Sequence, residues 1–330
     1  VVLAGAFASD VTDQVVGVFK DPAILIGIPL ALLGAVFMSF GAQYQHHGVH
    51  KVEVLTGTSG SSGLTLRHFL NLVRRPSWVF GTLMLGAAVV CQLAALAFAP
   101  LILVQPLGAI SLVITTLLNA KASGHKPTGK SVRAIIACVG GIFVFVTIAA
   151  LFATDTPVSD RQLIIILALL LVVLITLVTV WLLVRKKAHP LFYIVASGVL
   201  YGFVATFAKT IITRIQSQDI NWLTILCAVG LVAAFAVGAY FVQTAYAVGP
   251  PDLVIAGLTV IDPLVAVVIG LTVLQEAATA PLGAFIGFAA AGLVAVYGVF
   301  SLARNHPEVL SNSQELPIPR WHDGDGPARD

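Results

Sequence analysis

Residues 91–120 read "CQLAALAFAPLILVQPLGAISLVITTLLNA", a stretch without a single charged side chain. An α-helix rises about 1.5 Å per residue, so roughly twenty apolar residues cross a hydrocarbon core of about 30 Å. The apolar run continues upstream to residue 76, and Pro100 divides it, because proline brings no backbone N–H to a helix. The stretch therefore predicts two membrane spans, 76–99 and 101–119, joined in a tight hairpin.

Outward from this hairpin, blocks of similar length predict further spans at about 22–43, 131–153, 162–184, 190–213, 221–246, 253–274 and 281–303. Pro190, Pro250 with Pro251, and Pro281 mark their starts. Of 330 residues, 58% are hydrophobic and 10% charged. A soluble globular chain carries roughly 25% charged residues. So few charges cannot cover a water-facing surface, and the fold class expected is all-α, a polytopic membrane helix bundle of about nine spans.

The basic residues fall in alternate loops. One side holds Lys51, Arg67, Arg74, Arg75, Lys121, Lys126, Lys130, Arg133, Arg185, Lys186 and Lys187; the other holds Lys20, Arg161 and Arg214. Basic loops face the cytoplasm, which places the N-terminus outside and the C-terminus inside, as an odd number of spans requires. Topology thus accounts for the net charge of +3, and no nucleic-acid partner is expected. Asp10 and Asp13, with no basic cluster before the first apolar residues, argue against a cleaved signal peptide. Cys91, Cys138 and Cys227 all lie within apolar blocks and read as packing residues. Within the long loop 44–75, the stretch "LTLRHFLNLVRR" (64–75) suggests a short amphipathic helix at the cytoplasmic surface.

A shift of 151 positions lays "CQLAALAFAP" (91–100) on "VQTAYAVGPP" (242–251), pairing Gln92 with Gln243 and Pro100 with Pro251. Spans two to four then repeat as spans seven to nine. The organisation expected is an extracytoplasmic segment 1–21, a first transmembrane repeat 22–153, a linking span 162–184, a second repeat 190–303 and a disordered cytoplasmic tail 304–330. A linker that crosses once inverts the second unit relative to the first, which puts a substrate site between the halves near the bilayer midplane.

"AVGPPDLVIAGLTVIDPLVAVVIGLTVLQE" (247–276) resembles the repeat of the drug/metabolite transporter (EamA-like) superfamily: a Gly-Pro turn, an acid-Pro pair and a closing Glu, here Asp262, Pro263 and Glu276. "LAFAPLILVQPLGAISLVITTLLNA" (96–120), "SGVLYGFVATFAKTI" (197–211) and "GAVFMSFGAQYQHHGV" (34–49) are closer to its NIPA-like magnesium-transporter branch. The resemblance implies a secondary transporter that moves a small metabolite or cation by alternating access. It departs from the superfamily pattern in three places. The closing Glu is replaced in the first half by a stretch around His125, span one has no acid, and His46 and His47 stand where magnesium-type members carry lysines.

Asp262 lies near the bilayer centre, where a charged carboxylate costs several kcal/mol. It is either a proton- or cation-coupling group or a neutral acid shaping the helix break at Pro263; Pro106 is the comparable proline of the first half. Lys209 either pairs with Asp262 or a substrate anion, or extends to the interface. Gln92 and Gln243 line a cavity or bond between helices. Glu276 reads as a solvated helix cap, and Tyr44, Tyr201, Tyr246 and Trp222 as interface or packing residues. Gly198 with Gly202, and Gly283 with Gly287, have the spacing that lets helices approach closely.

His46, His47 and His50 are a weak metal reading, since Gly48 is expected to interrupt the helix and no carboxylate or Cys completes the set. No metal site or cofactor is expected. The partners expected are the lipid bilayer, a small-molecule or cation substrate, H⁺ or another coupling ion, and, left open, a second copy in a homodimer. Three rival readings stand beside the metabolite carrier: a magnesium or other divalent-cation transporter, a lipid or lipid-linked-sugar flippase, and a non-catalytic scaffold of an envelope complex. An enzyme is not expected, because the spans hold no nucleophile–base pair.

Overall fold

The computed structural model describes residues 22–56, 76–122, 128–154, 157–184, 190–248 and 251–304. Among these residues ten helices follow one another: α1 (Pro22–Thr56), α2 (Pro76–Phe98), α3 (Leu101–Gly108), α4 (Ile110–Ala122), α5 (Gly129–Phe152), α6 (Asp160–Val184), α7 (Pro190–Gln216), α8 (Trp222–Val248), α9 (Pro251–Thr272) and α10 (Leu282–Arg304). Helices α3 and α4 share one crossing, so the described residues make nine spans long and apolar enough for a membrane. The protein is an integral membrane protein. The segment 1–21, the stretch 64–75, His125 and the tail beyond 304 lie outside the described residues.

Each observed span starts and ends within a few residues of its predicted limits, with one exception. Residues 44–56, expected to open a loop, continue α1 to Thr56. No proline interrupts them, and one glycine, Gly48, costs a helix only about 1 kcal/mol. The expectation that Gly48 breaks the helix is thus corrected; the side chains of His46, His47 and His50 are outside the described set.

The share of buried residues sorts the helices. The third span and α7 are each 56% buried and form the centre, whereas α6 is 17% buried and lies at the margin against α7 and α8. Outward positions carry side chains such as Phe143, Leu183 and Leu293, each more than two-thirds exposed, as lipid contact favours.

The packing partners of the first four spans recur among the last four. α1 lies on α2 as α7 lies on α8, and α1 touches α3 and α4 as α7 touches α9. The main contacts that cross between these sets are α5 on α10 and α3 on α9, with smaller ones of α7 on α2 and on α3. Backbones come close at the first crossing because glycines face it. A Cβ on Gly141 would stand 2.9 Å from Ala291 O, and one on Gly298 would meet the backbone of Cys138.

Candidate functional site

Two places hold charge inside this apolar bundle. The first is the middle of α9. Pro263 has no N–H to offer the carbonyl of Thr259, and the hydroxyl of Thr259 bonds elsewhere, to Ile255 O at 2.8 Å. Just before this gap stands Asp262, whose Oδ1 is buried and has no hydrogen-bond partner among the described residues. Tyr201 of α7 lies near both Asp262 and Tyr246 of α8. Tyr201 rests on Gly238 of α8, where an added Cβ would lie 3.1 Å from its ring. Helix α7 reaches the backbone of Asp262 through two glycines. A Cβ on Gly202 would be 2.7 Å from Val265 Cβ and 3.0 Å from Asp262 O, and one on Gly198 would be 2.7 Å from Ile261 Cβ. Gly283 makes no such approach, since no described atom lies within 4 Å of its Cβ position; Gly287 meets Ile148 at 2.7 Å.

On the neighbouring face of α9, Pro263 and Pro106 line one central cavity of about 80 Å³ with Ile142, Phe145, Thr259 and Val260 among its walls. The two prolines therefore face a common space, but the Asp262 side chain is not part of its lining. Buried Gln105, not among the residues expected at the site, precedes Pro106 as Asp262 precedes Pro263. "VQPLGAI" against "IDPLVAV" is the signal that would have found it, at an offset of 157 and not 151.

The second place is the end of the bundle holding Pro100. Leu96 O would accept from the N–H of residue 100, which proline lacks, and Leu103 N turns from Ala99 O to Pro100 O at 3.1 Å. Lys209 Nζ fills this gap from α7, donating to Leu96 O at 3.0 Å and Ala99 O at 3.1 Å. On the far side of Pro100, Leu101 N and Ile102 N open helix α3. They donate to Glu276 Oε1 and Oε2, both at 2.8 Å. Lysine thus meets the negative pole of α2 and glutamate the positive pole of α3. Both side chains are 2% exposed.

This geometry corrects two expectations. Lys209 does not extend to the interface, because it is buried on the carbonyls orphaned by Pro100; α7 also runs to Gln216, about two turns beyond it. Glu276 is not a solvated cap of its own helix, because Gln275 takes a left-handed φ of 57° and turns the next residue back over Gly270, where a Cβ would stand 2.9 Å from Glu276 Oε2.

Further bonds tie this end together. Thr154 N donates to Glu276 O at 2.7 Å, Gln162 Nε2 to Val273 O at 3.0 Å, and Gln216 Nε2 to Ala97 O at 2.9 Å. Arg214, expected as a loop charge, is buried in the last turn of α7 and pairs with Asp160 and Asp219. Gln92 is half-buried and Gln243 exposed.

The profile of the magnesium transporter NIPA family matches residues 23–218. The chain belongs to this family. The matched stretch runs from α1 through α7 and includes Lys209, Gly198 and Gly202; Asp262 and Glu276 lie beyond it. NIPA membership makes the protein one of a family of membrane transporters. An uncharacterized protein of Corynebacterium glutamicum is 26% identical over 286 residues, covering 85% of this chain and 95% of that protein. No solved structure matches.

Proposed function

We propose that this protein is a secondary transporter that carries a small cation across the cytoplasmic membrane by alternating access, with Mg²⁺ the first candidate. Two inverted units, α1–α5 and α7–α10, rock about the crossings of α5 on α10 and α3 on α9, with α6 as linker. The observation that carries the reading is the unpartnered buried oxygen of Asp262 beside the helix break at Pro263. A carboxylate held there is costly unless it meets a proton or a cation during the cycle.

Membership of the magnesium transporter family supports the choice of cation. The described residues contain no group of three His, Cys, Asp or Glu able to hold a metal ion. That suits Mg²⁺ as cargo that keeps much of its water and uses one or two carboxylates. Asp262 would supply the charge, and the hydroxyls of Tyr201 and Tyr246 would bond to its water shell.

A second reading, a lipid or lipid-linked-sugar flippase, is favoured by one feature. A groove of about 540 Å³ between α1 and α5, lined by Ile28, Pro29, Leu32, Phe143 and Val146, is apolar as a passing acyl chain needs.

Uptake by purified protein in liposomes tests both. Mg²⁺ flux in the wild type that Asp262→Asn abolishes, with folding intact, supports the cation reading. Lipid scrambling without Mg²⁺ flux favours the flippase. Mg²⁺ flux indifferent to the substitution removes Asp262 from the mechanism.

A further inference from the structure

We propose that Lys209 and Glu276 are the latch of a gate at the Pro100 end, and that the gate opens when both side chains release the backbone on either side of Pro100. This rests on the alternating-access reading.

Pro100, between α2 and α3, leaves four groups of buried residues in need of partners here: the carbonyls of Leu96 and Ala99 and the N–H groups of Leu101 and Ile102. All four are satisfied from elsewhere in the chain, by a lysine and a glutamate more than a hundred positions away. The latch residues come from α7 and from the turn after α9; what they hold is the α2–α3 hairpin. The latch elements belong to the last four spans and the hairpin to the first four, so the bonds close a seam.

The same groups also explain why the seam has two states. When closed it is dry, and every backbone group and both charges have partners. When open, water reaches the hairpin and the two side chains, and each group exchanges its protein partner for a water molecule. A half-open seam satisfies neither condition, because it removes the latch before water arrives. A hydrogen-bonded seam of this kind is bistable, as alternating access requires. Other contacts at the same end, Thr154 with Glu276 and Gln216 with Ala97, would part in the same step. A hydrophobic seal alone would have no such intermediate penalty.

The experiment reads the gate without reference to any substrate. Cys91, Cys138 and Cys227 are replaced by Ala, and Ala277→Cys introduces one thiol beside the latch at a position 2% exposed. A membrane-impermeant maleimide then reports how often the seam opens. Glu276→Gln keeps the size of the side chain and removes its charge; Lys209→Gln removes the charge from the other side. Raising an open population from about 1% toward 10% increases labelling about tenfold, and that rise is expected in each variant.

A companion protein that retains only Cys138, fully buried on α5, is the control for general loosening. Unchanged labelling at position 277 in correctly folded variants overturns the latch and leaves a static helix cap. An equal rise at Cys138 also overturns it, since the whole bundle has then loosened. Faster labelling in a protein that moves no solute keeps the gate and removes the transport reading; Mg²⁺ flux with unchanged labelling does the reverse.

Discussion

Asp262 is held where both neighbours on its backbone are already used: α7 presses on it through Gly198 and Gly202, and Pro263 follows it. Asp262→Asn preserves this shape while removing the charge. The expected outcome is a loss of Mg²⁺ uptake of about tenfold or more, equivalent to roughly 1.4 kcal/mol of cation affinity, with a melting temperature no lower than that of the wild type. Uptake in liposomes and a thermal melt in detergent check the two halves of that statement. Asp262 was visible in the sequence, because an acid in the middle of an apolar block stands out. Tyr201 was not, since a tyrosine in a membrane span usually packs or marks an interface. Only the approach of α7 to α9 shows that its hydroxyl shares a region with the carboxylate. Gln105 was legible in principle, but the shift of 151 that aligns Gln92 with Gln243 is not the one that aligns the two prolines.

At the scale of helices, the crossing of α7 on α9 depends on Gly202, where a Cβ would stand 2.7 Å from that of Val265. Gly202→Val overpacks this contact and should destabilise the protein by about 1–3 kcal/mol, while Gly283→Ala, with open space around it, stays within about 0.5 kcal/mol. Comparing the two in a reversible unfolding assay checks the assignment; equal effects would disprove it. The α2–α3 hairpin gives a second comparison. Glu276→Ala leaves Leu101 N and Ile102 N unpaired, and each buried orphan costs about 1–3 kcal/mol. Pro100 itself is readable in the sequence as a break. The identity of the groups that repair it is not, because Lys209 and Glu276 lie in other spans, and nothing local to the hairpin points to them. For the same reason the small-residue spacing at 198 and 202 and at 283 and 287 looked alike, yet only the first pair meets a facing helix at both glycines. Spacing records which residues share a face; it does not record what that face meets.

For the whole molecule, orientation can be tested at two described and exposed positions on opposite ends, Ser217 and Lys121. With the basic loops in the cytoplasm, the thiol introduced by Ser217→Cys is labelled by an impermeant reagent on intact cells, and that of Lys121→Cys only after permeabilisation. The reverse pattern would turn the molecule over and put the Pro100 gate inside. The number of spans and nearly all their limits were determined by the sequence alone. A membrane imposes one length on every crossing, and with few charges and well-placed prolines that length can be read residue by residue. The helical continuation from 44 to 56 is not legible as a span, because its residues are polar, and polar residues still form helix once the chain has left the hydrocarbon. What tertiary structure alone decided was the destination of the buried charges. Burial obliges Lys209, Arg214 and Glu276 to find partners, but several partners satisfy that need equally well in the sequence, and only the crossing of the helices selects the backbone at Pro100 for the first and last and two aspartates for the second.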